Sequence, residues 1–314
     1  MNKREEEILV NLYRFRFLTR GQLQNLLGHK NHRCLVSWLK ELLSKNYIGY
    51  LDRRGKITDS YIYFLENNGR KYLKNLELNK KGLNKVWRND KTSQQQQNHC
   101  LAVADVFMAL SNTIEKAGKK LRFFSKTELI GYSGLVVPHP DAYFHIKENK
   151  NLQVFYFLDI FNAFVNKWQL IKRLDKYQDY YDEDIWQQEV KKDFPEVILV
   201  LSDVSSYFFL KKYLPKIIEN YDFSVYIISL DMIRNKGFNK ETLTKIKKGV
   251  IILNTARGGI LETEAILMGL EQGVIQGAGI DVLEEECYIK EERQLLTESF
   301  IKECDLKTQL LNHV

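Results

Sequence analysis

One predicted helix near the start of the chain has a face made of hydrogen-bonding side chains. These side chains are Asn31, His32, Arg33, Ser37 and Lys40. Arginine and asparagine can form paired hydrogen bonds with the edges of guanine and adenine, and lysine neutralises phosphate charge. The opposite face of the same segment is apolar, with Leu35, Leu39 and Leu42 at helical spacing. The pattern indicates a helix that packs on one side and recognises a polar partner on the other.

The elements around this helix follow the order of a winged helix-turn-helix. Apolar periodicity predicts three helices, over residues 6–18, 21–27 and 31–45. Two β-prone runs, 47–51 and 61–65, flank a glycine-containing turn and predict a hairpin, and a last helix is predicted over 67–76. In such a fold the third helix enters the major groove and the hairpin contacts the DNA backbone. The turn carries Arg53, Arg54 and Lys56, which we expect to contact phosphates.

The distribution of charge supports a polyanionic partner for this first domain, predicted over residues 1–84. Residues 1–98 contain 20 Lys and Arg but 9 Asp and Glu, residues 99–236 contain 18 of each, and residues 237–314 contain 9 and 13. The formal excess of +7 therefore comes from the first third of the chain. Such a concentrated basic region predicts double-stranded DNA as the partner. A soluble basic surface, or a winged helix that binds protein, is the alternative.

Bulk properties are those of a folded protein that does not cross a membrane. No apolar run approaches the ~18–20 residues needed to span a bilayer, and the charged N-terminus lacks a signal-peptide core. The four cysteines, Cys34, Cys100, Cys287 and Cys304, are widely spaced and predict reduced thiols. We therefore expect a cytoplasmic location.

Three motifs in the first three quarters of the chain resemble the replication-relaxation family of plasmids and mobile elements in Gram-positive bacteria. The motifs are Tyr13 to Leu23, His99 to Val106, and Pro140 to Phe144, and the likeness runs to about residue 232. The resemblance implies a winged helix followed by an α/β domain. It implies a DNA-binding role in the replication or transfer of such elements.

A polar linker is predicted over residues 85–98, followed by an α/β domain over residues 99–236. The linker prediction rests on Gln94 to Gln97, which lack apolar periodicity. In the domain, a helix is predicted over 99–114 and two more over 163–181 and 207–221. Strand-like runs are predicted at 121–124, 142–146, 154–160, 197–201 and 224–230. Strands separated by helices indicate an α/β sheet.

Pro140-Asp141 and Asp159 have the spacing found in the PD-(D/E)xK nuclease core, a restriction-endonuclease-like fold that the replication-relaxation family resembles. The resemblance implies that the two carboxylates hold Mg²⁺ and that a lysine assists an attacking water. This chain has Phe161 at the lysine position, so Lys167 or Lys172 would have to replace it, and Glu128 is a further candidate acid. An inactive scaffold, with Asp141 in a turn and Asp159 capping a strand, is the alternative.

The last segment, residues 237–314, resembles the cofactor domain of D-isomer-specific 2-hydroxyacid dehydrogenases. The likeness is carried by a predicted buried strand at 250–254, the loop Thr255-Ala256-Arg257-Gly258-Gly259, a helix at 262–272 and a strand at 277–282. It implies NAD as cofactor, with Thr255 and Ala256 beside the nicotinamide and Asp281 near its amide. By the same resemblance Arg257 binds the 2-keto acid and Glu286 orients a catalytic histidine.

Missing parts predict that this segment is a partial Rossmann-type domain without turnover. No GxGxxG loop precedes it to hold a pyrophosphate, and His313 does not match the position of the family's histidine. The apolar strand at 250–253 needs a cover, which predicts packing against the rest of the chain, a homo-oligomer or a partner chain. The overall expectation is an α/β protein that binds DNA, with an idle dehydrogenase fragment. The alternatives are an NAD-dependent D-2-hydroxyacid (lactate-like) dehydrogenase and a Mg-dependent nuclease.

Overall fold

The computed structural model describes most of the chain in two compact units. The described residues are 1–52, 61–87, 89–132, 134–147, 153–163, 165–236, 244–245, 250–254 and 275–280. One unit holds residues 1–208 and 222–245, and the other holds residues 209–221 and 246–314. The two domain boundaries predicted at residues 84 and 236 stay predictions.

The first unit begins with short helices and a small antiparallel sheet. In chain order these are α1 (Lys3–Phe15), β1 (Leu18–Thr19), α2 (Arg20–Leu26), α3 (His32–Ser44), β2 (Ile48–Leu51), β3 (Ile62–Leu65), α4 (Asn67–Leu73) and α5 (Lys80–Lys85). The strands are ordered β1-β3-β2, and Leu51 pairs with Ile62. Side-chain caps fix the helix starts, because Thr19 and Gln22 form a capping box on α2 and Asn31 accepts from the Arg33 amide at α3.

A six-stranded sheet with helices follows in the same unit. Its elements are α6 (Gln94–Lys116), β4 (Lys120–Ser125), α7 (Lys126–Leu129), β5 (Ala142–Lys147), β6 (Gln153–Phe161), α8 (Lys167–Asp182), α9 (Ile185–Val190), β7 (Glu196–Leu201), the first part of α10 (Val204–Tyr213), β8 (Val225–Ser229), α11 (Leu230–Lys236) and β9 (Thr244–Lys245). The rest of α10, from residue 209, belongs to the other unit. The strand order is β4-β5-β6-β7-β8-β9. Strands β6, β7 and β8 are parallel, and β4, β5 and β9 are antiparallel to their neighbours. The protein is therefore a mixed α/β structure, as the sequence predicts.

The predicted linker differs from the structure over its second half. Residues 94–98 form the first turn of α6 instead of an exposed connection. The Ser93 side chain accepts from the Gln96 amide, and the Gln97 side chain is buried and donates to the Thr92 carbonyl. A side-chain cap and local hydrogen bonds thus stabilise helix in a polar run that lacks apolar periodicity.

One hydrophobic core runs from the first helices into the six-stranded sheet. It contains Leu12 of α1, Leu39 of α3, Val106 of α6 and Phe144 of β5, all nearly inaccessible to solvent. At Gly82 of α5 an added Cβ would lie 2.1 Å from the Thr127 carbonyl of α7, so only glycine permits this approach. The short helices and the sheet are packed directly against each other within the first unit.

The described part of the second unit contains one strand pair. Strands β10 (Val250–Asn254) and β11 (Ile275–Ile280) are parallel, with Asn254 opposite Ile280. Consecutive parallel strands require a crossover connection of a dozen residues or more, and residues 255–274 provide that length. The pair agrees with the predicted strands at 250–254 and 277–282.

Among the described residues, none of the helices is both long enough and apolar enough to cross a membrane.

Candidate functional site

The outward side of helix α3 carries the predicted recognition residues, and the chain does not use their side chains for packing. Leu35, Leu39 and Leu42 of this helix are buried. The residues predicted to contact bases or phosphates are exposed, and they are Asn31, His32, Arg33, Ser37 and Lys40. Asn31 caps the helix by accepting from the Arg33 amide at 3.0 Å. We call the side formed by His32, Arg33, Ser37 and Lys40 the α3 face.

The polar groups of the α3 face are available to a partner. Arg33, Ser37 and Lys40 follow each other at spacings of four and three residues, which places them on one side of a helix. Within the described residues, the side chains of the α3 face make no hydrogen bond or ion pair. The predicted phosphate contacts Arg53, Arg54 and Lys56 lie outside the described residues. They belong to the connection between the paired strands β2 and β3.

Hydrogen bonds fasten the first helices to the six-stranded sheet. The guanidinium of Arg14 donates to the Glu128 carboxylate at 3.2 Å and to the Phe123 carbonyl at 2.9 Å. Gln22 of α2 donates to Asp105 of α6 at 2.7 Å. Asp105 also accepts from Arg234 of α11 at 2.9 Å. These bonds fix α1 and α2 in position relative to the six-stranded sheet and its helices.

Asp141 lies just before β5 and both oxygen atoms of its carboxylate accept hydrogen bonds. His99 Nε2 lies 3.0 Å from Oδ1, and Lys126 Nζ lies 3.2 Å from the same oxygen. The Ile160 amide donates to Oδ2 at 2.9 Å. The carboxylate is buried, so these three donors replace the water that it would otherwise bind. Asp141 thus joins helix α6 to strands β5 and β6.

The buried pair of Asp141 and His99 shifts the pKa of both groups. Burial disfavours the charged carboxylate, but the hydrogen bond and charge of His99, with Lys126 and the Ile160 amide, outweigh that penalty. The pKa of Asp141 is therefore held well below its ordinary value. Burial also disfavours protonated His99, but Asp141 outweighs this effect and raises the pKa of His99. Each group favours the charged form of the other.

Asp159, on the neighbouring strand β6, is bound by two side chains of α8. Arg173 donates to its carboxylate from Nε at 2.6 Å and from Nη2 at 3.3 Å. The Tyr177 hydroxyl donates to Oδ2 at 2.7 Å. Burial and the charge of Asp159 hold the pKa of Tyr177 well above its ordinary value. The third donor of Arg173, Nη1, bonds the Pro138 carbonyl at 2.7 Å.

The two predicted metal ligands lie on adjacent strands, but as arranged they do not fit a shared Mg²⁺ ion. Strand pairing of Ala142 with Leu158 brings Asp141 and Asp159 to the same edge of the sheet. Each carboxylate accepts hydrogen bonds from cations of the chain itself, and a metal ion would have to displace them. Among the described residues there is no group of three His, Cys, Asp or Glu side chains placed to hold a metal ion. We derive no hydrolytic step from this edge.

Arg173 and His99, which bind the two carboxylates, were not predicted as site residues. The PD-(D/E)xK resemblance predicts a lysine near Phe161, with Lys167 and Lys172 of the next helix as candidates. Arg173 belongs to that helix, and it lies among the buried Leu170, Leu174 and Tyr177. A charged residue within a buried helical face requires an opposite charge, so that position carried a usable signal. Glu128, the further candidate acid, instead binds Arg14 and the Ser125 amide.

The residues predicted to bind NAD and substrate, Thr255, Ala256, Arg257, Asp281 and Glu286, lie outside the described residues. The strands that precede two of them are described, because β10 ends at Asn254 and β11 ends at Ile280. Since parallel strands end at the same edge of a sheet, the chain positions after both strands start from one edge.

The first finding from comparison with known proteins concerns the helices and the sheet of the first unit. The family model for Replication-relaxation matches residues 9–197, more than half of the chain. The chain belongs to the replication-relaxation family. This membership confirms the resemblance seen in the sequence and supports a DNA-related function for this part of the protein.

A second family model, for the NAD binding domain of D-isomer specific 2-hydroxyacid dehydrogenases, matches residues 202–302. Glyoxylate reductase of Thermococcus onnurineus is 39% identical over 79 residues, which are 25% of this chain and 24% of that protein. D-3-phosphoglycerate dehydrogenase of Bacillus subtilis is 54% identical over 48 residues, 15% of this chain and 9% of that protein. The chain thus spans a quarter or less of the length of these relatives.

Among solved structures, the restriction endonuclease FokI is similar to this chain at a low level. Its complex with DNA gives a TM-score of 0.27 at 12% identity, covering 76% of this chain and 45% of that chain. A second structure of FokI gives a TM-score of 0.28 with the same identity and coverage. The restriction-endonuclease-like fold of the sheet therefore stays a prediction.

Proposed function

We propose that this replication-relaxation protein binds double-stranded DNA through the α3 face, with residues 1–84 acting as a winged helix. The observation that carries the proposal is the exposure of the polar side chains on that face. Its hydrogen-bonding and cationic side chains are exposed and unpaired, whereas most other polar groups discussed above are bonded within the chain. In this arrangement α3 enters the major groove.

The neighbouring elements support this docking. Helices α1, α2 and α3 are followed by the paired strands β2 and β3, with β1 completing the small sheet. The connection between β2 and β3 contains Arg53, Arg54 and Lys56, which would meet the DNA backbone. The excess of positive charge in residues 1–98 would favour association with a phosphate backbone at low salt.

The test is a mobility-shift titration of duplex DNA over a salt series that starts near ~50 mM, where phosphate contacts are least screened. The double variant Arg33→Gln/Lys40→Gln is expected to weaken binding by roughly ten-fold or more. The matched control is Lys71→Gln/Lys74→Gln, which removes the same charge from exposed positions in and just after α4. Equal losses in both variants would mean that net charge, and not the α3 face, governs binding. Absence of duplex binding by the wild type at the lowest salt would refute the proposal.

A second candidate function, NAD binding by the last segment, is favoured by the match over residues 202–302 and by the parallel pair β10–β11. In this proposal Thr255, Ala256 and Asp281 contact the cofactor, and Arg257 contacts a 2-keto acid. The chemistry that NAD supplies is hydride transfer, while a planar guanidinium at residue 257 suits a carboxylate.

This candidate is tested by NADH fluorescence during titration with the full chain. Assays of NADH oxidation with pyruvate and glyoxylate as the keto acids to be reduced then test for turnover. NADH binding that is retained in Arg257→Gln, together with loss of keto-acid binding and turnover, supports the assignment of Arg257 to substrate. A lack of NADH binding at millimolar cofactor would remove this candidate. It would leave the DNA proposal untouched, because the two proposals concern different segments.

A further inference from the structure

A cavity of about 100 Å³ lies inside the first unit, where the end of α1 meets α6 and the β4–α7 turn. We call it the junction cavity. Its polar lining includes Arg14, Arg16, Lys85, His99, Lys126 and Asp141. One ordered water needs roughly 10–15 Å³ of such space. The junction cavity therefore has room for several waters or for one tetrahedral oxyanion.

Arg16 contributes a buried donor that the chain leaves without an acceptor. Its Nη2 donates to Asn89 Oδ1 at 2.9 Å. Its Nε atom is buried and has no hydrogen-bond partner among the described residues, and Asn89 Nδ2 is in the same condition. Buried donors in native proteins are rarely left unbonded. Arg16 lines the junction cavity, so an acceptor bound there would be available to its Nε atom.

The backbone of Arg16 holds this donor in place at an energetic cost. Arg16 has φ of 67° and ψ of −49°, a backbone conformation that residues other than glycine rarely adopt. It directly follows α1, and its amide donates to the Leu12 carbonyl at 3.0 Å. Rare backbone conformations of this kind are found most often at ligand sites. The conformation and the unbonded Nε atom belong to the same residue.

The charges around the junction cavity favour an anion. Four cationic side chains line it, Arg14, Arg16, Lys85 and Lys126, against the single carboxylate of Asp141. Arg14 is bonded to Glu128, and Asp141 is bonded to His99 and Lys126. Lys85, the last residue of α5, is exposed, and within the described residues it forms no ion pair. Arg16 and Lys85 therefore leave uncompensated positive charge at this place.

We propose that the junction cavity binds a phosphate group, with Arg16 and Lys85 as its principal ligands and Lys126 as a further cation of its lining. A phosphate offers acceptors in several directions, which suits donors that line the cavity from the end of α1 and from α5 and α7. The apolar side chains of Phe15, Val86 and Val103 line the same space and limit competition from water. Such a ligand bridges the first helices and the sheet, so it stabilises their junction.

The first experiment measures thermal unfolding of the full chain in sodium phosphate and in sodium chloride at matched ionic strength. The wild type and the control Lys74→Gln, an exposed charge away from the cavity, are expected to show the same rise in Tm with phosphate. Lys85→Gln and Arg16→Gln are expected to lose that rise. Lys85 is exposed, so its variant tests the proposal even if Arg16→Gln folds poorly. An identical phosphate response in Lys85→Gln and Lys74→Gln, or no response in the wild type, overturns the proposal.

The second experiment identifies the source of the phosphate and rests on the proposed DNA function. Short duplexes with a 5′-phosphate or a 5′-hydroxyl are compared as competitors of inorganic phosphate in the same unfolding assay. Preference for the phosphorylated duplex assigns the cavity to a DNA end, equal competition by both duplexes assigns it to a backbone phosphate, and no competition by either duplex assigns it to free phosphate. Arg33→Gln/Lys40→Gln is expected to bind the duplex more weakly and to keep the rise in Tm with inorganic phosphate. Lys85→Gln is expected to keep duplex binding and to lose the rise in Tm with inorganic phosphate. The two proposals can therefore fail separately.

Discussion

The α3 face and the carboxylate edge of the sheet, meaning Asp141 and Asp159 with their partners, use polar side chains in opposite ways. On the α3 face Arg33 and Lys40 are exposed and make no ion pair within the described residues. At the carboxylate edge Asp159 and Arg173 are buried and satisfy each other. A polar group already bonded within the chain has little to offer a partner. This difference supports the proposed recognition role of the α3 face and a structural role for the carboxylate edge.

The largest effect is expected for Asp159→Ala, which tests whether the buried pair at the carboxylate edge is structural. It leaves the guanidinium of Arg173, 8% exposed, without its counter-charge, and breaking a buried pair in this way typically costs about 3–5 kcal/mol. We expect the free energy of unfolding to fall by that amount, measured by urea titration with circular dichroism as the probe. The control is Asp179→Ala on the same helix, an exposed residue whose replacement should change the value by less than about 0.5 kcal/mol. Similar stabilities of the two variants would show that the pair is not structural.

The second test is the pH dependence of Asp141→Asn. The pKa of Asp141 is depressed in the fold, so its contribution is complete above the unfolded pKa of about 3.9 and is lost as pH falls through the folded value. The pKa of His99 is raised, so its contribution is complete below about 6.5 and is lost as pH rises through its folded pKa. Between about pH 3.9 and pH 6.5 the free energy of unfolding of the wild type should exceed that of the variant by about 1.5–3 kcal/mol.

The measurement for Asp141→Asn is urea unfolding at several pH values between strongly acidic and mildly alkaline conditions. The difference between wild type and variant should narrow on both sides of the window. His99→Gln should abolish the narrowing on the alkaline side and retain the acidic side. A difference that does not depend on pH would mean that the Asp141 contact acts through packing alone.

Much of the local structure could be predicted because its causes lie close together in the chain. The α3 helix and the strands of the sheet lie within a few residues of their predicted bounds, since apolar periodicity and caps such as Thr19 are local signals. The start of α6 was missed because the polar run at 94–97 lacks periodicity. The cap at Ser93, which fixes that start, was visible in the sequence.

The candidate sites divide in the same way. Exposure of the α3 face follows from the position of Arg33 and Ser37 opposite the leucines of one helix, which periodicity reveals. The partners of Asp141 and Asp159 come from α6 and α8, and one sequence does not show which helix covers which strand. The same limit applies to the junction cavity, whose proposed ligands are Arg16, just after α1, and Lys85 of α5.

The third test separates two kinds of contact on the α3 face. Lys40→Gln is expected to remove a phosphate contact, so the slope of log K against log salt should become shallower by about 0.9. Arg33→Gln is expected to remove a base contact, at a cost of about 1–3 kcal/mol on the preferred sequence. It should also narrow the preference for that sequence over an unrelated duplex. Fluorescence anisotropy with both duplexes over a salt series measures both quantities. Equal effects on both duplexes from Arg33→Gln would assign Arg33 to the backbone.

The smallest expected effect belongs to Arg234→Gln, which tests the intermediate case between the two regions. Arg234 is paired with Asp105, but its side chain is 47% exposed, so solvent screens the pair. Removing it should lower the free energy of unfolding by only about 0.2–1 kcal/mol, with a loss that shrinks at high salt. Asp105 would keep its hydrogen bond from Gln22, so no buried charge is stranded. A loss as large as that of Asp159→Ala would mean that burial does not separate structural pairs from surface pairs in this protein, and the contrast between the carboxylate edge and the α3 face would need another cause.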